Sequence, residues 1–253
     1  MPDPNRTIPR PPRAVTFDCW STLLRDLDTG EALRRRAAAL ATLATRLGRQ
    51  LNPEEAAATI EAAWSFHVGE WRGGRLFGPE GAARWCLEEL GLPVDDASIE
   101  ELAEAIATGT VAAGTAVVDG APEAIAALRD SGIPTALICD TGFTPARCVR
   151  DALGYHGLEL DHYFFSDEVG MPKPHPPIFQ AALAATGADP ADAVHIGDLR
   201  RTDVAWARAA GMAAVRFAGV HDDDWLPEDC VADVEADAVL YRWADLAGLL
   251  GLH

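Results

Sequence analysis

Asp18, Lys173, Asp198 and Asp203 are the residues of this chain whose types and placement could do chemistry together. Asp18 ends the apolar, β-branched and aromatic run Val15-Thr16-Phe17, and Ser21 and Thr22 follow it closely. That pattern puts a carboxylate where a buried strand opens into a loop. Cys139-Asp140-Thr141-Gly142 stands at the end of a second apolar run, and Lys173 lies beyond a third that ends near Ser166. His195-Ile196-Gly197-Asp198 closes a fourth, and Asp203 follows as a helix begins. In an open parallel sheet the carboxyl ends of the strands face one crevice, so these groups converge. Converging carboxylates repel, and without a cation at least one would be driven to bind a proton. A hard divalent ion such as Mg²⁺ removes the conflict, and Lys173, the sole lysine of the chain, offers a point charge to a phosphate or to the nucleophile. The assembly reads as phosphoryl transfer to an aspartate.

The elements that must position these groups follow from the periodicities. After the first strand and a turn-rich piece through Asp28-Thr29-Gly30, helical periodicity runs over Glu31 to Leu47, Pro53 to about Val68, Pro79 to Leu90 and Ser98 to about Ala112, with no convincing strand between. Asn52-Pro53-Glu54-Glu55 is a helix start, with Asn as N-cap, Pro in the first turn and acids against the positive helix end.

From about Val117 strands and helices alternate. Strands are expected at Thr135–Cys139, His162–Phe165, Ala193–Ile196, Ala213–Phe217 and Ala238–Tyr241; helices at Ala121–Arg129, from Thr144 to Leu153, His175–Ala185 and Thr202–Ala210, with one more closing the chain. Alternation of this kind implies α/β architecture, a Rossmann-like parallel sheet core interrupted by an inserted α-helical domain. The expected division is a flexible tail over 1–12, a core from 13–25 and 117–253, and a helical insert over 26–116.

Composition bounds the function. A formal charge of −18 disfavours nucleic acid and anionic membrane surfaces as partners. The five cysteines, Cys19, Cys86, Cys139, Cys148 and Cys230, are odd in number and form no CxxC pair, so neither a disulfide framework nor a zinc site is expected and a cytoplasmic setting is natural. No apolar run reaches membrane-spanning length, and the start lacks the hydrophobic segment of a signal peptide. Nothing here bears on oligomeric state.

Four motifs in order resemble those of the haloacid dehalogenase-like (HAD) superfamily: Phe17-Asp18-x-x-x-Thr22-Leu23; Thr135 to Gly142; Ser166 through Met171-Pro172-Lys173-Pro174 with Ile178-Phe179; and Gly197-Asp198 with Asp203. The resemblance runs from about Arg13 to Leu240, with the insert where that family carries a helical (C1-type) cap. It implies the HAD fold and a covalent nucleophile, Asp18, acting on a small anionic substrate. It also implies Mg²⁺ held by Asp18, the backbone carbonyl of Trp20 and Asp198 with Asp203 in support, Lys173 orienting nucleophile and phosphate, and a phosphate site at Cys139, Asp140 and Thr141, with Thr141 the favoured hydroxyl.

Trp20 departs from the family pattern. Phosphatases of the family usually carry a second Asp two residues after the nucleophile, which protonates the leaving group; an indole cannot. The dehalogenase branch has an aromatic residue there, so a metal-free 2-haloacid dehalogenase is the alternative reading, and a weakly active binding protein is the third. Asp198 and Asp203 favour the phosphohydrolase, because unscreened carboxylates would repel a haloacid anion. The phosphonate-cleaving branch needs a cap lysine, and the insert has none.

Other residues have plainer readings. Cys19 is expected as a small buried apolar residue. Trp64, Phe66, Trp71, Phe77 and Trp85 are expected in the helical core, Arg34-Arg35-Arg36 on a solvated helix face, and His67, His195 and His221 show no ligand spacing. Caps of the family that the chain resembles reach the active site by arginine-bearing glycine loops such as Trp71-Arg72-Gly73-Gly74-Arg75-Leu76-Phe77-Gly78, which makes Arg72 and Arg75 candidate substrate contacts.

Overall fold

The computed structural model describes residues 7–173, 175–221 and 234–252. Pro174, Cys230 and the first six residues of the expected tail lie outside them. The chain packs as two units, the first formed by Met1–Arg25, Ala116–Asp140 and Leu153–His253, the second by Asp26–Thr115 with Thr141–Ala152. The second unit thus takes a segment, 141–152, that the sequence reading left in the core.

In the first unit, strands β1 (Ala14–Phe17), β4 (Thr135–Cys139), β5 (His162–Phe165), β6 (Ala193–Gly197), β7 (Ala213–Phe217) and β8 (Ala238–Leu240) form one sheet in the order β5-β4-β1-β6-β7-β8. Every pairing in it is parallel. Counted along these six strands the order is 3-2-1-4-5-6, the doubly wound Rossmann arrangement. It reverses between β1 and β6, so the strands that end beside Asp18 and Asp198 flank the switch point where such sheets bind ligands. β1, β4, β6 and β7 are buried along their whole length, which is why they read as continuous apolar runs and not as alternations.

Helices α5 (Ala121–Asp130), α7 (Ser166–Val169), α8 (Pro176–Thr186), α9 (Ala205–Ala209) and α10 (Leu246–Leu250) complete this unit. Ile178, Phe179 and Ala182 of α8 pack with Ala136 and Ile138 of β4 and with Val204 and Ala207. Near its C-terminus Trp243 is buried, stacks on Phe217 at 4.7 Å, lies 5.7 Å from the Phe17 ring, and donates its indole N–H to the Thr22 carbonyl at 3.1 Å. A late residue thereby props the loop that follows Asp18. Pro12 is buried, and Arg10 lies against Gly251.

The second unit holds α1 (Thr29–Arg46), α2 (Pro53–Arg72), α3 (Pro79–Glu89) and α4 (Asp96–Ala113). Their apolar faces meet in a core that includes Leu40, Leu43, Ile60, Cys86, Leu87, Leu102 and Ile106. Asp28, Asn52 and Asp95 cap α1, α2 and α4, and Asn52 with Glu55 forms a full capping box. Helix α6 (Ala146–Tyr155) begins in the same segment, 141–152.

Two short strands, β2 (Leu24–Asp26) and β3 (Thr115–Val117), flank the helical stretch and pair as a separate ribbon. Two expectations for this unit fail. Arg36 is not on a solvated face: its Nε donates to Ile106 O and its Nη2 to Thr110 Oγ1, both at 2.9 Å. Trp64 and Phe66 are each 44% exposed, while Phe77 and Trp85 do pack against the core.

Candidate active site

Asp18 follows β1 directly, and its backbone N–H continues the ladder by donating to Ile196 O at 2.8 Å. The chain then turns sharply. Leu23 and Leu24 N–H both donate to Cys19 O, Trp20 bridges to Leu24, and Ser21 takes a positive φ of 58°, a conformation that costs a non-glycine residue energy and marks a constrained loop. Thr22 Oγ1 reaches back to Asp18 Oδ2 at 3.4 Å.

Lys173 is 2% exposed and lies among the carboxylates. Its ammonium donates to Asp18 Oδ1 at 2.5 Å and to Asp203 Oδ1 at 2.7 Å. Its backbone N–H donates to Asp140 Oδ1 at 2.7 Å. Asp140, expected at a phosphate site, therefore spends a carboxylate oxygen on holding the Lys173 loop, and a carboxylate has no hydrogen to give a phosphate.

Asp198 extends β6, and Asp203 sits in a π turn, Arg200–Val204, that precedes α9. The expected helix from Thr202 thus starts earlier and with wider hydrogen bonding; π turns of this kind recur at functional sites. Glycine is required at 197, because a Cβ there would lie 2.4 Å from the Asp203 carboxyl carbon. Asp203 is saturated: Oδ1 accepts from Lys173 and from His195 Nε2 at 3.2 Å, and Oδ2 accepts from Leu199 N–H at 3.0 Å and from Thr202 Oγ1 at 3.4 Å. With every lone-pair direction engaged, direct metal ligation by Asp203 would displace a donor, which puts it in a supporting place behind Lys173.

One carboxylate oxygen from each of Asp18, Asp198 and Asp203 can be chosen so that all lie within 4.8 Å of one another. Burial raises the Asp18 pKa to about 6 against the pull of Lys173, with the nearby Asp203 charge adding to the rise. Burial, then Asp18 and Asp203, hold Asp198 well above the carboxylate range. For Lys173 burial opposes the charge, but Asp18, Asp203 and Asp140 outweigh it and keep the ammonium charged. For Asp203 burial is outweighed by Lys173 and His195, so it stays ionised. The donor set fits a hard divalent cation: buried, all oxygen, and carrying more negative charge than its one ammonium neutralises.

The remaining predicted residues fall as follows. Trp20 is half-buried at the turn. Cys139 is fully buried, its thiol donates to Asp140 O, and burial with the adjacent Cys19 thiol pushes its pKa far up, so it stays protonated. Thr141 is buried and packs with the second unit. Arg72 is the last residue of α2, which runs past the expected end at Val68. Arg75 is tied by Glu70 through two hydrogen bonds of 2.6 and 2.7 Å within its own unit. Sequence reading missed His195 and Thr16; neither carries a spacing signal, and only the pairing of β1 with β6 sets Thr16 beside His195, which in turn reaches Asp203.

A sequence profile of haloacid dehalogenase-like hydrolases matches residues 12–211. The chain belongs to this family. A glyceraldehyde 3-phosphate phosphatase from Methanopyrus kandleri is 39% identical over 86 residues, 32% of this chain and 37% of that protein. The HAD phosphatase of Thermococcus onnurineus aligns with a TM-score of 0.66 at 22% identity, covering 95% of this chain and 99% of its own. A 2-haloacid dehalogenase from Pseudomonas syringae pv. Tomato aligns with a TM-score of 0.64, also at 22%, covering 94% and 97%. The chain spans less than half the length of the curated relatives it matches. This HAD-like hydrolase thus shares its fold with proteins named for either chemistry. Among the described residues, no helix is long and apolar enough to cross a membrane.

Proposed function

We propose that this chain is a Mg²⁺-dependent phosphohydrolase of small phosphorylated metabolites that works through an aspartyl-phosphate on Asp18. The observation that carries the reading is the surplus of buried carboxylate around one ammonium: Asp18 and Asp198 both sit above their ordinary pKa, a conflict that a divalent cation relieves. Asp18, Asp198 and the Trp20 carbonyl would hold the ion, with Asp203 in support. Bound Mg²⁺ supplies charge neutralisation for the phosphate and keeps Asp18 ionised.

Asp18 attacks phosphorus through a carboxylate oxygen, and the ester oxygen leaves with the bonding pair. Lys173 spends two N–H groups on Asp18 and Asp203 and keeps its third for a phosphate oxygen. Thr141 is the candidate hydroxyl for the same phosphate. Water then attacks the phosphorus, releasing inorganic phosphate and restoring Asp18. The helical insert over 26–116 would act as the cap that selects the leaving group, in a reduced, cytoplasmic setting.

Trp20 favours a second reading, a metal-free dehalogenase in which Asp18 displaces halide from a 2-haloacid. A panel of aryl and alkyl phosphates, acyl phosphates and 2-haloacids, each assayed with Mg²⁺ and with EDTA, separates the two. Phosphate release lost in EDTA is expected; halide release that persists in EDTA would sink the phosphohydrolase.

A further inference from the structure

The mechanism leaves two buried polar side chains without a task. Thr16 is fully buried on β1, His195 is 1% exposed on β6, and the two are register partners on adjacent strands. Thr16 Oγ1 lies 2.8 Å from His195 Nδ1, and His195 Nε2 lies 3.2 Å from Asp203 Oδ1. A carboxylate only accepts, so Nε2 carries the hydrogen in that contact. The same Oδ1 accepts from Lys173, whose other bond goes to Asp18. One unbroken buried chain thus runs Thr16, His195, Asp203, Lys173, Asp18, beginning and ending on the strand and loop of the nucleophile.

We propose that His195, held by Thr16, is a positioning residue: it fixes the Asp203 carboxylate and thereby the place of the Lys173 ammonium against Asp18. An apolar side chain would fill the same space beside the Phe179 ring, 5.1 Å away, without the desolvation cost of a buried imidazole. What the imidazole adds is a second donor on Oδ1. Without it that oxygen is held by Lys173 alone, the carboxylate turns about its Oδ2 bonds to Leu199 and Thr202, and the ammonium follows it away from Asp18. This rests on the proposed nucleophilic role of Asp18.

Lys173 is the sole lysine in the chain, so protein grown on ¹⁵Nζ,¹³Cε-lysine carries one side-chain amine signal, readable without any substrate. In the Mg²⁺-supplied protein, His195→Leu and Thr16→Val are expected to shift that signal and speed its hydrogen exchange. His195→Leu should also lower kcat by about 10-fold or more, the usual reach of a residue behind a ligand, with KM nearly unchanged. His195→Gln, whose amide can donate where Nε2 did, should restore both the signal and most of kcat. The proposal is overturned if His195→Leu leaves signal and kcat as they were, or if Gln is no better than Leu. Should His195→Leu fail to fold, Thr16→Val decides by the same two readouts. If no phosphate ester is turned over by any form, the phosphohydrolase reading has failed, while the lysine signal still judges the positioning.

Discussion

Lys173 and Arg36 are both cations withdrawn from water, one in each unit, and their surroundings differ in kind. Arg36 faces one acid, Asp26, and spends its N–H groups on a carbonyl and a hydroxyl, with the Phe143 ring 5.5 Å below it. Burial lowers the Arg36 pKa and raises that of Asp26, so each charge is held at some cost and the pair balances one to one. Lys173 faces Asp18 and Asp203 directly, with Asp140 and Asp198 close enough to act on it or on them. A balanced pair needs no further charge. An unbalanced one is stable only if something from solution completes it, and that asymmetry locates the chemistry in the sheet unit.

Substitutions on the two sides should therefore fail differently. Asp18→Asn removes the nucleophile and should lower kcat by ~10⁴-fold or more, as loss of a covalent group does elsewhere, while folding is retained because a carboxyl whose charge is disfavoured has been replaced by a neutral isostere. Trp20→Asp supplies the missing acid and should raise alkyl phosphate hydrolysis by up to ~10²-fold with little change for aryl phosphates. In the helical unit, Arg36→Leu should take a donor each from Ile106 O and Thr110 Oγ1 and cost about 1 kcal/mol in denaturant unfolding, with kcat per folded molecule unchanged.

The smallest effect sharpens the comparison through pH. The Asp18 pKa rises from 3.8 in the unfolded chain to about 6 in the folded one, so the folded state binds this proton more tightly. Its contribution to stability is complete below about pH 4 and is lost as pH climbs through about 6. Mg²⁺ competes with that proton, so the rise in Tm on adding Mg²⁺ should be slight at pH 5 and grow through pH 7. A Tm gain independent of pH would place the ion elsewhere.

Much of the sheet was legible because its strands are short apolar runs bounded by turn formers; Thr135–Cys139, His162–Phe165 and Ala213–Phe217 fall where the pattern put them. The parallel sheet and the convergence of Asp18, Lys173 and Asp198 follow from strand and helix alternation, whereas the order of the strands does not. What could not be read depends on partners distant in the chain. His195 looks like any strand residue until Thr16 and Asp203 are beside it. Arg36 looks like its neighbours Arg34 and Arg35 until α4 covers it with Ile106 and Thr110. Trp243 gives no hint in sequence that it supports the nucleophile loop.

The central claim is that Asp18 attacks phosphorus and that water then attacks the same phosphorus. A single turnover of an aryl phosphate in H₂¹⁸O with enzyme in excess, followed by mass spectrometry of the phosphate and of the peptide bearing Asp18, tests it directly. The label is expected in inorganic phosphate, with Asp18 unlabelled. Label in the Asp18 carboxylate would mean that water attacks an acyl carbon, as in ester cleavage after halide displacement, and would contradict the account.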